Sequence, residues 1–276
     1  MDEILQAIVI GIVQGLTEFL PVSSSAHLIV LPRVLGWDDA LINSPEFVVM
    51  LHMGTLAALL LYFWRDVLVL LAAAWAMLRE RSLGGDPDRK LALVLLVSVI
   101  PAAIFGLVAG DAIEGFFYDV VIVIPFILVA GAGILWLAER FGTREHELEQ
   151  AGFADAAVIG IAQALALLPG ISRSGITISA GLLRGLKREA AARFAFLMGI
   201  PIIAGAGLWK TRTIVNGDAG DIDVAVLLAG VVAAALSGWL AIGFLLRYLR
   251  RHSTGIFIAY RLVAAAVLLA LLLLDG

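Results

Sequence analysis

The chain has 276 residues, 62% of them apolar and 15% charged, with a formal net charge of −4 and no cysteine. Soluble domains carry roughly 45–50% apolar and about 25% charged residues, so this composition excludes an ordinary soluble globule and points to a chain solvated by lipid. Disulfides and thiol chemistry are excluded with the cysteines. The small net charge carries little information, because its distribution matters more than its sum, and no nucleic-acid partner is expected.

Met1-Asp2-Glu3 lacks the basic region of a cleavable signal, so the first helix is expected to be retained. An apolar helical stretch then runs to Pro21, where proline ends the hydrogen-bond ladder, and opens into the loop Val22-Ser23-Ser24-Ser25-Ala26-His27. The spacing predicts a re-entrant hairpin over 5–33. Stretches of about 20 apolar residues follow at 47–64, 91–109 and 120–138. The twelve apolar residues at 67–78 are too few to span and are assigned to the membrane interface. Asp111, Glu114 and Asp119 mark an acidic loop.

Past residue 150 the pattern starts again. Val9, Ile10, Gly11, Ile12, Gln14, Leu16, Ser23 and Ser25 recur as Val158, Ile159, Gly160, Ile161, Gln163, Leu165, Ser172 and Ser174, followed by a second apolar stretch, a proline (Pro169) and a loop, Gly170-Ile171-Ser172-Arg173-Ser174-Gly175. A second hairpin is expected over 154–184, followed by spans at 194–209, 224–246 and 255–274. Met53-Gly54 and Trp64-Arg65 recur as Met198-Gly199 and Trp209-Lys210. The predicted fold is an all-α integral membrane protein made of two repeats, 1–150 and 151–276, in one membrane domain. Each repeat is a re-entrant helix hairpin plus three transmembrane helices. Three is odd, so the second repeat enters inverted, and the two broken loops are expected to meet near the midplane.

Fourteen basic residues (Arg65, Arg79, Arg81, Arg89, Lys90, Arg140, Arg144, Arg184, Lys187, Arg188, Arg193, Arg247, Arg250 and Arg251) fall on one side of this topology, against Arg33, Lys210 and Arg212 on the other. The richer side is read as cytoplasmic, which opens the first hairpin outward. If 67–78 spanned instead, that hairpin would open to the cytoplasm.

Broken helices at membrane depth are tolerated where they line a buried cavity, and matched pairs of them point to a binding site. Ionisable side chains there cost about 2.5–3.5 kcal/mol each on insertion scales and are functional candidates by default. Glu18 leads, one helical turn after Gln14 and on the same face. The competing reading is a packing hydrogen bond. His27 is a candidate acid, base, nucleophile or metal ligand. Ser23, Ser24 and Ser25 supply hydroxyls or cap the next helix. In the second loop Gly170, Ser172, Arg173, Ser174 and Gly175 have the makings of an anion cradle, with Thr177 one turn on. A structural Arg173–Glu18 pair is the alternative, and it is compatible with anion binding. Arg261, inside the last span, either lines the cavity or snorkels to the surface. His52, in the first span, is open between packing and function.

The stretches Gln14-Gly-Leu-Thr-Glu18-Phe-Leu-Pro-Val-Ser-Ser-Ser-Ala-His27 and Pro169-Gly-Ile-Ser-Arg-Ser-Gly175 resemble the two signature motifs of the bacterial undecaprenyl pyrophosphate phosphatase family, also called bacitracin resistance proteins. The resemblance runs essentially the whole length. It implies an inner-membrane enzyme that removes the terminal phosphate from undecaprenyl pyrophosphate and recycles the lipid carrier of cell-wall synthesis. It also implies that Glu18 and Gln14 help bind a divalent cation, magnesium or else calcium, while Arg173 and Ser172 hold the pyrophosphate. The attacking group is left open among Ser24 activated by His27 and Glu18, His27 itself, and water. The family's first motif admits Glu or Gln where this chain has Gln14, and Ala26 replaces its common glycine. Expected partners are the lipid substrate, membrane lipids and a second copy of the chain as a homodimer. A polyprenyl-phosphate flippase or ion-coupled transporter is the alternative, because such carriers are also built from inverted repeats.

Overall fold

The computed structural model describes residues 3–119, 121–215 and 223–274. Among these, eleven α-helices follow one another: α1 (Glu3–Phe19), α2 (Ser24–Leu35), α3 (Pro45–Tyr62), α4 (Trp64–Glu80), α5 (Pro87–Asp119), α6 (Ile124–Phe141), α7 (Phe153–Ala164), α8 (Arg173–Leu183), α9 (Arg188–Val215), α10 (Val224–Leu249) and α11 (Gly255–Leu274). Helix starts follow local chemistry. Ser44 accepts from the Phe47 amide at 3.1 Å ahead of Pro45, and Asp223 caps α10 through the amides of Ala225 and Val226. Gly36, left-handed at φ 64°, ends α2.

Among the described residues, six helices are long and apolar enough to cross a membrane: Pro45–Tyr62, Pro87–Gly110, Val121–Phe141, Arg188–Leu208, Val224–Leu249 and Gly255–Leu274. They coincide with the six predicted spans to within a few residues. One expectation changes. The stretch holding Asp111, Glu114 and Asp119, read as a loop, continues α5 as helix. The segment at 67–78 belongs to a longer helix, α4, that buries only Ala73 and turns Leu68, Leu71, Trp75 and Leu78 outward. Val120, and the side chains of Asp111, Glu114, Asp119, Trp209, Lys210 and Arg212, lie outside the described residues.

The two sequence copies make matching contacts. Helix α1 lies along α10, and α7 lies along α5. At the first contact a Cβ on Gly11 would come 2.3 Å from the carbonyl oxygen of Gly230; at the second, a Cβ on Gly160 would come 2.4 Å from that of Ser98. Gly11 and Gly160 are equivalent positions of the two copies. Glycine is required at both because only a helix without a side chain there approaches a neighbour's backbone so closely. Gly15 repeats the device one turn on, against Ser237 Oγ at 2.0 Å.

One end of the bundle is tied by ion pairs. Glu139, at the end of α6, accepts from Arg144 (2.9 Å), from Arg188 at the start of α9 and from the Thr254 hydroxyl (3.0 Å) before α11. Asp155 pairs with Arg184 at 2.7 Å, joining the two ends of the second broken segment, and Arg250 pairs with Glu189 at 2.7 Å. Asp66 pairs with Arg193 at 2.5 Å. These arginines all belong to the basic side read from the sequence.

Alanine at Gly11 or Gly160 meets backbone that has no room to yield, whereas Gly133 has nothing within 4 Å of its would-be Cβ. Gly11→Ala and Gly160→Ala are expected to cost about 1–3 kcal/mol of stability, the usual penalty of overpacking. Gly133→Ala is expected to be neutral or slightly stabilising. Thermal unfolding of the detergent-purified variants checks both, and equal midpoints for all three would refute the close-contact account.

Candidate active site

The site begins with two backbones broken in the same way. Helix α1 stops at Phe19, the Val22 amide closes a tight turn on Leu20 O (2.7 Å), and Ser23 takes φ 78° before α2 begins. In the second copy α7 passes into a 3-10 turn at Leu165–Leu167, Gly170 takes φ 101°, and Ser172 takes φ 72° before α8 begins. Ser23 and Ser172 are equivalent positions. Left-handed conformations on non-glycine residues cost of order 1–3 kcal/mol and persist only where the surroundings impose them. Here Ser23 Oγ lies 3.2 Å from Ser25 Oγ, and Ser172 Oγ 3.2 Å from Ser174 Oγ.

The two loops touch. The Gly170 amide donates to Ser25 Oγ at 3.3 Å, and Ser174 Oγ donates to Leu20 O at 3.1 Å. Arg261 binds both loops from α11. Its guanidinium is fully buried and donates to the carbonyls of Gly170 (2.8 Å), Ile171 (3.0 Å), Leu128 (3.2 Å) and Pro21 (3.4 Å). Gly131 makes the room, since a Cβ there would stand 1.9 Å from Arg261 Nη2. Arg261 therefore neither lines the main cavity nor snorkels; it is spent on backbone.

Beside this junction is a cavity of about 290 Å³ lined by Glu18, Ser23, Ser24, Ser25, Ser172 and Arg173, with His52 and Gln163 completing its polar wall. Glu18 is at its centre. One carboxylate oxygen accepts from Arg173 Nη2 at 2.8 Å; the other accepts from Ser24 Oγ at 2.6 Å and Gln14 Nε2 at 3.2 Å. The two broken segments thus meet through side chains of opposite charge, one from each sequence copy. His52 Nδ1 donates to Val48 O (2.8 Å), which directs its Nε2 toward Glu18 at 3.6 Å.

Other candidates are engaged in holding the loops and helices. Ser172 Oγ accepts from the Gly175 amide at 3.1 Å and so caps α8, which occupies that amide of the expected anion cradle. Thr177 donates to Arg173 O at 2.7 Å, within its own helix. Gly170, Ser174 and Gly175 support the loops from behind the cavity wall. None of the first-loop serines caps α2 with its side chain. His27 faces away from Glu18, along an apolar groove with Val30, Leu31 and Leu268. Its Nδ1 donates to Ser23 O (2.6 Å), and its Nε2 meets the Tyr260 hydroxyl at 2.7 Å. Because a carbonyl can only accept, Nδ1 carries the proton, and in the neutral ring the lone pair on Nε2 is taken by Tyr260.

Tyr260, His52 and Gln163 complete the neighbourhood. The recurrence of Gln14 as Gln163 was the sequence signal for the last; nothing in the sequence linked His52 to Glu18 or Tyr260 to His27.

An all-helical, multi-pass membrane protein with a buried carboxylate beside hydroxyls and a guanidinium in one cavity is the class that fold and site define. The family model described as "Bacitracin resistance protein BacA" matches residues 7–267, and the chain belongs to that family. It is 48% identical to the undecaprenyl-diphosphatase of Thermomicrobium roseum over 96% of both chains, 46% identical to that of Gemmatimonas aurantiaca and 45% to that of Moorella thermoacetica, each over 97% of both chains.

Arg261→Met strips donors from at least two buried loop carbonyls and is expected to cost about 2–3 kcal/mol or more. Gly131→Ala displaces the same guanidinium and should destabilise too, yet add much less in the Arg261→Met background. A double-mutant cycle on thermal unfolding measures this, and full additivity would show that Gly131 does not act through Arg261.

Proposed function

We propose that the protein hydrolyses undecaprenyl pyrophosphate to undecaprenyl phosphate and inorganic phosphate in the bacterial plasma membrane. The family and its curated relatives, named as undecaprenyl-diphosphatases, support the reaction. The observation that carries the chemistry is the 2.6 Å hydrogen bond from Ser24 to a carboxylate that also meets Arg173. Glu18 is placed to take the Ser24 proton, and Arg173 to hold the terminal phosphate by its planar fork of donors. Ser24 Oγ forms a bond to the terminal phosphorus as the bond to the bridging oxygen breaks, and the proton passes through Glu18 to the departing lipid phosphate. After the lipid phosphate leaves, a water oxygen bonds to the phosphorus as the P–Oγ bond breaks, Glu18 passes the water proton to Ser24 Oγ, and inorganic phosphate departs. His27, with both nitrogens engaged, positions the loop through Ser23 and Tyr260. A flippase or ion-coupled transporter is not favoured.

The residues fit a divalent cation. Gln14 spends its Nε2 on Glu18 and keeps a buried Oε1 without a partner, so a carboxylate and, one helical turn earlier, an orphaned amide oxygen are available as hard oxygen donors. Magnesium suits such a pair when phosphate oxygens and water complete its shell. Among the described residues no group of three or more His, Cys, Asp or Glu gathers, so Glu18 and Gln14 would hold the ion together with the diphosphate. Bound there, it would shield the phosphate charges and stabilise the leaving group.

The inverted topology has support of its own. Asp66, just past α3, and Arg184, at the end of α8, sit among the ion pairs of the basic end. The second hairpin therefore enters from that end. Helix α3 begins at the opposite end, beside the close of α2, so the first hairpin enters from there and the loops meet in between. With the basic end cytoplasmic, Glu18 opens to the external face.

Glu18→Gln and Ser24→Ala are each expected to lower phosphate release from detergent-solubilised undecaprenyl pyrophosphate by at least about 100-fold. Arg173→Lys should fail as well, since it keeps the charge but loses the fork. A chelator should stop the wild type. Near-normal release by Ser24→Ala would overturn the serine as attacking group.

For topology, Asn43→Cys and Glu147→Cys are introduced singly into this cysteine-free chain and labelled in intact cells with a membrane-impermeant thiol reagent. Labelling at 43 and protection at 147 are expected. The reverse pattern would move the site to the cytoplasmic face.

A further inference from the structure

Gln163 occupies in the second hairpin the position of Gln14 in the first. Gln14 hydrogen-bonds Glu18 one turn on; one turn on from Gln163 the matching residue is Leu167, so the second amide has no carboxylate beside it. Its side chain is only 2% exposed, it lines the cavity of Glu18, Ser24 and Arg173, and neither its nitrogen nor its oxygen has a hydrogen-bond partner. A buried amide left unbonded carries a desolvation cost that an apolar residue of the same shape avoids. The wall around it is apolar, with Ala102, Ala166, Leu167 and Ile203, so nothing in the fold itself calls for an amide.

We infer that Gln163 contacts the substrate: Nε2 donates to a non-bridging oxygen of the diphosphate held by Arg173, and Oε1 accepts from the water that accompanies it. The amide offers both functions at once. Its setting separates it from Gln14, because leucine replaces the carboxylate one turn on, and in the cavity it shares with Ser172 and Arg173 it serves the anion rather than a metal ion. This inference rests on the reading of the cavity as a diphosphate site.

Two measurements on Gln163→Leu test it. In the phosphatase assay, KM for undecaprenyl pyrophosphate should rise about tenfold, the worth of a hydrogen bond to a charged group, while the substrate-free protein melts no lower than wild type. Gln163→Glu, which sets a negative charge against the phosphate, should lose more. Binding of methylenediphosphonate, whose P–C–P bridge cannot be hydrolysed, is followed by calorimetry with magnesium present and should weaken about tenfold in the leucine variant. If the wild type bound this probe but released no phosphate from the lipid, the hydrolase reading would fall while the binding comparison still tested Gln163. Unchanged affinity and KM in Gln163→Leu, a lowered melting temperature in that variant, or no binding of the probe by wild type would each overturn the inference.

Discussion

A helix broken inside a bundle of apolar helices strands backbone carbonyls that lipid cannot satisfy, and here one guanidinium satisfies them. Arg261 donates to loop carbonyls of both broken segments, and Gly131 clears its path. Everything at the site follows from that clamp. It holds Pro21 and Gly170 against each other, brings Ser25 to the Gly170 amide and Ser174 to the Leu20 carbonyl, and sets Glu18 and Arg173 at hydrogen-bond distance. Non-glycine residues in the left-handed region are stable only under such constraint, and Ser23 and Ser172 both occur beside it.

The two copies have kept the backbone and divided the chemistry. Gly11 and Gly160 make the same contact, Ser23 and Ser172 the same strained turn, and Gln14 and Gln163 the same turn of helix. At three other matched positions they part: Glu18 faces Leu167, Ser24 faces Arg173, and His27 faces Ile176. One loop thus carries a carboxylate and a hydroxyl, the other a guanidinium. A cavity between unlike loops presents base, nucleophile and anion holder from different directions, which two identical loops cannot do.

The histidines show where sequence neighbourhood misleads. His27, three residues from Ser24, turns to the far side of the loop and bonds Ser23 O and Tyr260. His52, thirty-four residues from Glu18 along the chain, lies 3.6 Å from its carboxylate. Which side of a tight turn a side chain takes depends on backbone angles, and Ser23 at φ 78° rotates the chain in a way that residue spacing does not reveal.

Composition and apolar length by themselves determined that the chain is a multi-pass membrane protein, because lipid demands long uninterrupted apolar helices and tolerates little else. Recurrence determined the two broken segments and their shared positions, and the motifs determined the family. The tertiary structure alone decided that Arg261 serves carbonyls, that Thr177 bonds within its helix, that α5 runs on through its acidic stretch, and that His52 and Gln163 belong to the cavity. The reason is physical: lipid acts on each helix separately and so leaves its mark in local sequence, whereas hydrogen-bond partners are settled between segments as many as 240 residues apart, such as Arg261 and Pro21.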